Sequence, residues 1–249
     1  MNQNERNGYQ KTSYGDYRTI ERDDALPMDQ EAGARVFVNR VYNWMFCGLI
    51  VTTVLAWAVT LNESMLRSVL NLFTLLAISE IVLVIILSAM INKMSAATAG
   101  VMFIVYSALN GLTLSPIFLA YTQTSIYLAF GSCALMFAAT STFGYMTGMK
   151  LDTVGSYCFM GLIGIIIASL VNFFLHSEVL DYIISYAGIA VFVGLTAWDT
   201  QKVRMIGEAN GEEAQSEGMR KVAIIFALKL YLDFINIFLY LLRIFGRRR

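Results

Sequence analysis

Four ionisable side chains fall inside otherwise apolar stretches of this sequence: Glu80, Asp199, Lys229 and Asp233. A charge near the centre of a bilayer costs a few kcal/mol, so each of the four needs a partner or a purpose. Asp199 and Asp233 offer the most chemistry. If their helices are neighbours, both carboxylates lie about one turn below the same membrane boundary, with Lys229 reaching the interface along its aliphatic stem. Two carboxylates at contact distance do not both ionise cheaply, so they share a proton and titrate as a unit. When both are ionised they present hard oxygen ligands suited to Ca²⁺. Thr196 lies on the Asp199 face at i−3 and Asn236 on the Asp233 face at i+3. Asp199 and Asp233 are therefore candidates for a gate, a pH sensor and a Ca²⁺ contact. The plainer alternative is a carboxylic acid pair that pins two helices together.

Supporting candidates surround them. Glu80, Asn110 and Asn172 could line a hydrophilic path, or equally act as interhelical hydrogen-bonding groups worth about 1 kcal/mol each. Lys93, at the end of the Glu80 stretch, is a candidate counter-charge to the aspartates. His176 ends an apolar run and reads as an interfacial residue, which leaves any pH response near neutrality to carboxylates. Glu208, Glu212, Glu213 and Glu217 are spaced for one helical face, a solvated one in the simplest reading and a weak cation vestibule in the sharper one.

The elements that must position these groups follow from composition. The chain has 249 residues, 57% of them hydrophobic and 14% charged. A soluble domain is about 45–50% apolar and about a quarter charged, so the expected solvent is a lipid bilayer. Its 18 basic and 18 acidic residues balance, which removes the field that nucleic-acid binding needs. Cys47, Cys133 and Cys158 all sit in apolar runs and suit neither a disulfide framework nor a zinc site.

Residues 1–40 are polar, carry no apolar run of signal-peptide length, and read as a disordered cytoplasmic tail. Residues 41–249 read as one transmembrane domain. A hydrocarbon core of about 30 Å needs about 20 helical residues. Runs of that length occur near Tyr42–Leu61, Val69–Ile91, Ala97–Tyr121, Ile126–Met149, Ser156–Leu175, Leu180–Trp198 and Val222–Phe245. The fold class is thus all-α, a polytopic bundle of seven transmembrane helices. Gly144 with Gly148, and Gly161 with Gly164 and Ala168, are expected to let helices pack closely.

Basic residues set the orientation. Arg35, Arg40, Lys93, Lys150, Lys202, Arg204, Arg220 and Lys221 fall on one side and only Arg67 on the other, which puts the N-terminus in the cytoplasm. Arg243 and Arg247–Arg249 break the pattern if the last run crosses completely. Seven crossings are the expectation, with a re-entrant last segment as the alternative.

Four stretches carry a family resemblance. They are Ala108-Leu109-Asn110-Gly111-Leu112-Thr113-Leu114-Ser115 with Ile117-Phe118, Phe143-Gly144-Tyr145-Met146-Thr147 before Asp152, Gly194-Leu195-Thr196-Ala197-Trp198-Asp199-Thr200-Gln201, and Leu230-Tyr231-Leu232-Asp233-Phe234-Ile235-Asn236-Ile237-Phe238-Leu239. Together they resemble the bacterial branch of the Bax inhibitor family, also called the transmembrane Bax-inhibitor-motif or YccA-like family, from about Arg40 to Gly246. The resemblance implies a last helix wrapped by two three-helix groups and an aspartate pair, at Asp199 and Asp233, closing a cytoplasmic-side pore. It implies a pH-sensitive Ca²⁺ leak channel, with cell-death or stress suppression and modulation of a membrane protease among the family's roles. Glu80 matches an acidic residue of the family's second helix. Lys229 departs from the family, which often has an uncharged polar residue there; a cation at this place favours an ionised Asp233 and competes with Ca²⁺.

The expected function is accordingly a Ca²⁺ leak in a bacterial inner membrane, with lipid, protons and Ca²⁺ as partners and no cofactor beyond Ca²⁺ as a candidate ligand. The alternative is a non-transporting regulator that binds a membrane protease or another membrane protein. An enzyme is not expected. An intramembrane aspartyl protease would carry Gly-x-Gly-Asp and a later Pro-Ala-Leu, whereas Asp233 follows Leu230-Tyr231-Leu232 and no proline occurs after Pro116. Phosphate loops, metal-type histidine clusters and nucleophile elbows are also missing from the sequence.

Overall fold

The computed structural model describes residues 28–246, so most of the expected tail lies outside the described residues. The chain forms α1 (Met28–Thr60), α2 (Glu63–Met90), α3 (Ala96–Leu114), the short α4 (Ile117–Ala120), α5 (Gln123–Met146), α6 (Asp152–Leu175), α7 (Glu178–Ala209) and α8 (Glu217–Phe245). With α3 and α4 taken as one span, seven segments are long and apolar enough to cross a membrane. The protein is an all-α integral membrane protein.

Short polar residues start most of these helices. Asn62, Ser95, Thr122, Ser177 and Ser216 each accept a hydrogen bond from a backbone N–H of the following turn, supplying a partner that the first helical turn lacks. His176 closes α6 with a left-handed φ of 51°, and its N–H donates to the Asn172 carbonyl. Pro116 separates α3 from α4, because proline offers no N–H for continuing the helix.

Burial divides the helices into two kinds. The most apolar windows of α2 and α6 are only 6% buried, whereas that of α8 is 61% buried. α8 runs through the middle against α1, α3, α5 and α7. Around it α1, α2 and α3 form one group, and α5, α6 and α7 the other. Side chains such as Leu75 and Ile85 on α2 and Phe159 and Ile166 on α6 are exposed; in a bilayer these faces meet acyl chains. At the centre, Tyr231 of α8 is fully buried and edge-on to Phe103 and Tyr106 of α3. Thr52 spends its single hydroxyl proton on the Ser107 carbonyl at 2.8 Å, so at 2.6 Å Tyr231 donates to the Thr52 oxygen. One relay of hydrogen bonds thereby ties α8 to α1 and α3.

Two expectations change and one alternative drops out. α1 begins at Met28, so residues 28–40 are helical. Ala34 and Phe37 are buried, Gly33 packs against the backbone of Gly211, and Arg40 donates to the Ala214 carbonyl at 2.6 Å. This stretch is a docked extension of the first helix rather than a solvated tail. The re-entrant alternative for the last segment is also excluded: α8 is one 29-residue helix, about 43 Å long at 1.5 Å per residue, enough to cross the core. Arg243 at its far end meets Asp181 at 2.9 Å, which supplies the counter-charge that loop counting did not foresee. Of the small residues, Gly144 lies directly on the Ala197 backbone and Gly161 against Val191, but Gly148 and Gly164 have nothing close enough to need a missing side chain.

Candidate functional site

α7 carries four consecutive residues, Trp198-Asp199-Thr200-Gln201, that point to four sides of the helix because each residue turns it by about 100°. The indole N–H of Trp198 donates to Asp152 at the start of α6 at 3.1 Å, and Lys202 lies 4.0 Å over the Trp198 ring. The Thr200 hydroxyl reaches Ser141 of α5 at 3.4 Å and Tyr42 of α1 at 3.3 Å. Gln201 accepts from the Leu151 N–H at 2.9 Å and donates to the Met149 carbonyl at 2.6 Å, holding the α5–α6 loop. Asp199 faces α8, where its Oδ1 is 3.7 Å from Lys229 Nζ. That distance is an ion pair without a hydrogen bond, in keeping with the missing hydrogen-bond partner of Oδ1.

Asp233 lies one turn further along α8. Its Oδ2 is 3.5 Å from the Thr196 hydroxyl, whose proton is better placed for the Phe192 carbonyl at 2.7 Å. Thr196 opposite Asp233 and Asp199 opposite Lys229 define an antiparallel register. The two aspartates are therefore offset by about one turn, near 5 Å along the axis. Both are 5% exposed, and both line one cavity of about 630 Å³ between α6, α7 and α8, together with Lys229 and Asn236. Asn236 donates its amide N–H to the Leu232 carbonyl at 2.7 Å, so its oxygen is the end suited to a cation.

Two details differ from expectation. Lys229 pairs across the helix interface with Asp199, not along its own helix with Asp233. α7 continues beyond Asp199 to Ala209, so Asp199 lies in a helix interior rather than at a helix end. Among the described residues no group of three or more His, Cys, Asp or Glu side chains is placed to hold a metal ion. Ca²⁺ takes six to eight oxygens in a resident site. Two carboxylates with a lysine beside them fall short of that number.

The supporting candidates separate. Glu80 accepts from Thr113 at 2.6 Å and from Asn110 at 3.3 Å, so the α2 carboxylate is fastened to the Asn110–Thr113 motif of α3. Asn172 does not join them. It accepts from the Ser177 N–H at 3.0 Å and shapes the α6–α7 turn. Lys93 is exposed in the turn after α2; the lysine that answers an aspartate is Lys229. The sequence assigned no site role to Thr113, Gln201 or Asp152, although all three stand in or beside the quoted stretches, nor to the Asp181–Arg243 pair. The unbroken run of polar or amphipathic residues Trp198-Asp199-Thr200-Gln201 after a long apolar stretch was the available signal for Gln201.

Removing the Gln201 clamp tests how far the site depends on this scaffold. Gln201→Ala leaves the buried Leu151 N–H without its acceptor, and is expected to cost about 2 kcal/mol. Thermal unfolding with limited proteolysis of the 147–151 loop checks this; an unchanged melting temperature and cleavage rate would refute it.

Comparison with known proteins agrees with this architecture. The family model described as "Inhibitor of apoptosis-promoting Bax1" matches residues 34–249, which includes residues 34–40 of the α1 extension. The chain is 46% identical over 231 residues to the inner membrane protein YbhL of Escherichia coli K12, covering 92% of this chain and 98% of that protein. It is 42% identical over 216 residues to a protein of Borreliella burgdorferi, covering 86% and 92% of the two chains. A membrane protein of Streptococcus pyogenes serotype M1 is 34% identical over 230 residues, covering 90% and 98%. With the match running through the docked extension, all seven spans and both aspartate motifs, the chain belongs to the Bax inhibitor family.

Proposed function

We propose that this protein is a pH-sensitive Ca²⁺ leak channel, not an enzyme, in which Asp199 and Asp233 form the gate. The observation that carries the reading is the shared cavity. Two buried carboxylates on α7 and α8, one turn apart, face the same space with Lys229 at their side. Lys229 balances one ionised carboxylate, and a proton held by the pair balances the other, so α7 and α8 stay together without uncompensated charge. Loss or gain of that proton changes the charge between the two helices and with it their separation. The same oxygens then meet a passing Ca²⁺, with the Asn236 carbonyl as a further ligand. The basic residues at the α5–α6 and α7–α8 turns support a cytoplasmic placement of that end and of the N-terminus. The name of the Escherichia coli relative supports an inner membrane.

Ca²⁺ flux in proteoliposomes, measured across pH, tests the proposal. Wild-type protein is expected to give a pH-dependent rate, and Asp199→Asn or Asp233→Asn a flat one, because asparagine cannot titrate. Robust flux with an unchanged pH profile in both variants would remove the gate. Absence of flux from folded wild-type protein would favour a regulator that acts on another membrane protein.

A further inference from the structure

A second cavity, on the other side of α8, has the form of a lipid site. About 450 Å³ of space lies between α1 of one three-helix group and α5 of the other, floored by Phe234, Ile235 and Phe238 of α8. The break at Pro116 helps make it: α3 stops at Leu114, and Ile117 and Phe118 of α4 form one wall. The lining is almost wholly apolar, and the hydroxyl groups of the buried Thr52 and the exposed Thr53 are already engaged. Thr52 donates to Ser107 and accepts from Tyr231, and Thr53 donates to Leu49. A buried water needs two to four polar partners, so this chamber does not hold water well. Left empty, its walls forgo dispersion contacts. Its size and lining are those of an apolar ligand site.

A smaller cavity of about 300 Å³ adjoins it toward the membrane surface at the end of α1. The two share Trp57, Phe118, Ile126 and Tyr127. Trp57 and Tyr127 are 56% and 70% exposed, so they stand at the mouth, where amphipathic rings sit at the headgroup level. The outer chamber adds the polar side chains of Thr60 and Gln123, and neither lining contains a charged residue. A phosphate or carboxylate head would find no cation there, whereas a hydroxyl head finds the Gln123 amide and the oxygen of Thr60, whose own proton goes to the Trp57 carbonyl at 2.6 Å.

We propose that these joined cavities bind a single-chain lipid with an uncharged, hydroxyl-bearing head, its tail in the seam between the helix groups and its head beside Thr60 and Gln123. The tail lies on the face of α8 formed by Phe234, Ile235 and Phe238, apart from the cavity that holds Asp199 and Asp233.

Photolabelling of the full chain in phosphatidylcholine nanodiscs tests this. The probe is a monoacylglycerol with a diazirine in its tail, compared with a lysophosphatidic acid carrying the same tail. The neutral probe is expected to label α1 near Thr53–Trp57, α5 near Ile126–Phe130 and α8 near Phe234–Phe238. Labelling should saturate and be displaced by unlabelled monoacylglycerol. Ala56→Phe and Thr53→Trp fill the seam and should lower labelling about tenfold, while Leu135→Trp, on an exposed face of α5 outside both cavities, should not. If Ala56→Phe fails to fold, Thr53→Trp carries the comparison. Unsaturable labelling spread over α2 and α6, undiminished labelling in the filled variants, or equal labelling by the anionic probe would overturn the assignment.

Discussion

Replacing Gly144 by leucine is expected to separate α5 from α7 and to cost about 3–4 kcal/mol, among the larger effects a single substitution produces. A side chain at this position would land on the carbonyl and Cα of Ala197. Both surfaces there are backbone, so no rotamer change relieves the clash. The damage would reach Asp199, two residues along α7, and Thr200, whose hydroxyl touches Ser141 of α5. Gly164→Ala is the matched control. Gly164 has no neighbour within 4 Å of an added Cβ, and alanine in place of glycine favours a helix interior by up to about 1 kcal/mol. Thermal unfolding in detergent should show a large loss for Gly144→Leu and none for Gly164→Ala. Equal melting temperatures would mean that the α5–α7 approach contributes little.

The second large effect is expected from Lys229→Met, which keeps much of the aliphatic stem and removes the charge 3.7 Å from Asp199. An adjacent cation favours the ionised form of a carboxylate. Without it the proton is held more tightly, and a higher pH is needed to remove it. The midpoint of the pH profile of Ca²⁺ flux should therefore move upward. Lys229 has a side chain 43% exposed, so part of its field falls outside the pair and the upward shift is expected to be partial. Lys229→Arg should leave the midpoint near its wild-type place. An unmoved midpoint in Lys229→Met would separate the lysine from the titration, even if the aspartates control it.

The parts of this architecture that were legible in the sequence are those set by transfer free energy. Seven long apolar runs have one solution in lipid, because backbone groups there must be bonded within the helix. A carboxylate inside such a run stands out by its cost, which singled out Asp199, Asp233 and Glu80. What was not legible depends on how helices are set against one another. Lys229 lies four residues before Asp233, and along a single helix that spacing makes the two look like partners. The register between α7 and α8 instead hands the lysine to Asp199. Asn172 lies in an apolar run and looked like a path-lining group, yet its role is to accept from the Ser177 N–H at a turn. The start of α1 was missed for a third reason. Residues 28–40 are too polar to read as a span, and their helix is held by Phe37 in the core and by contacts to Gly211 and Ala214, far along the chain.

The depth of α8 has a bearing on how the protein is made. The helix that fills the middle follows the six spans around it in the chain, so those six enter the bilayer before their common core exists. α2 and α6, the most hydrophobic windows at mean hydropathy 2.6 and 2.4, insert readily because lipid satisfies nearly their whole surface. α1, α3, α5 and α7 must wait with their inner faces turned to lipid or to each other until the final segment arrives. A nascent chain stalled before α8 is synthesised would thus be a ready substrate for membrane quality control, because the core closes only when α8 enters.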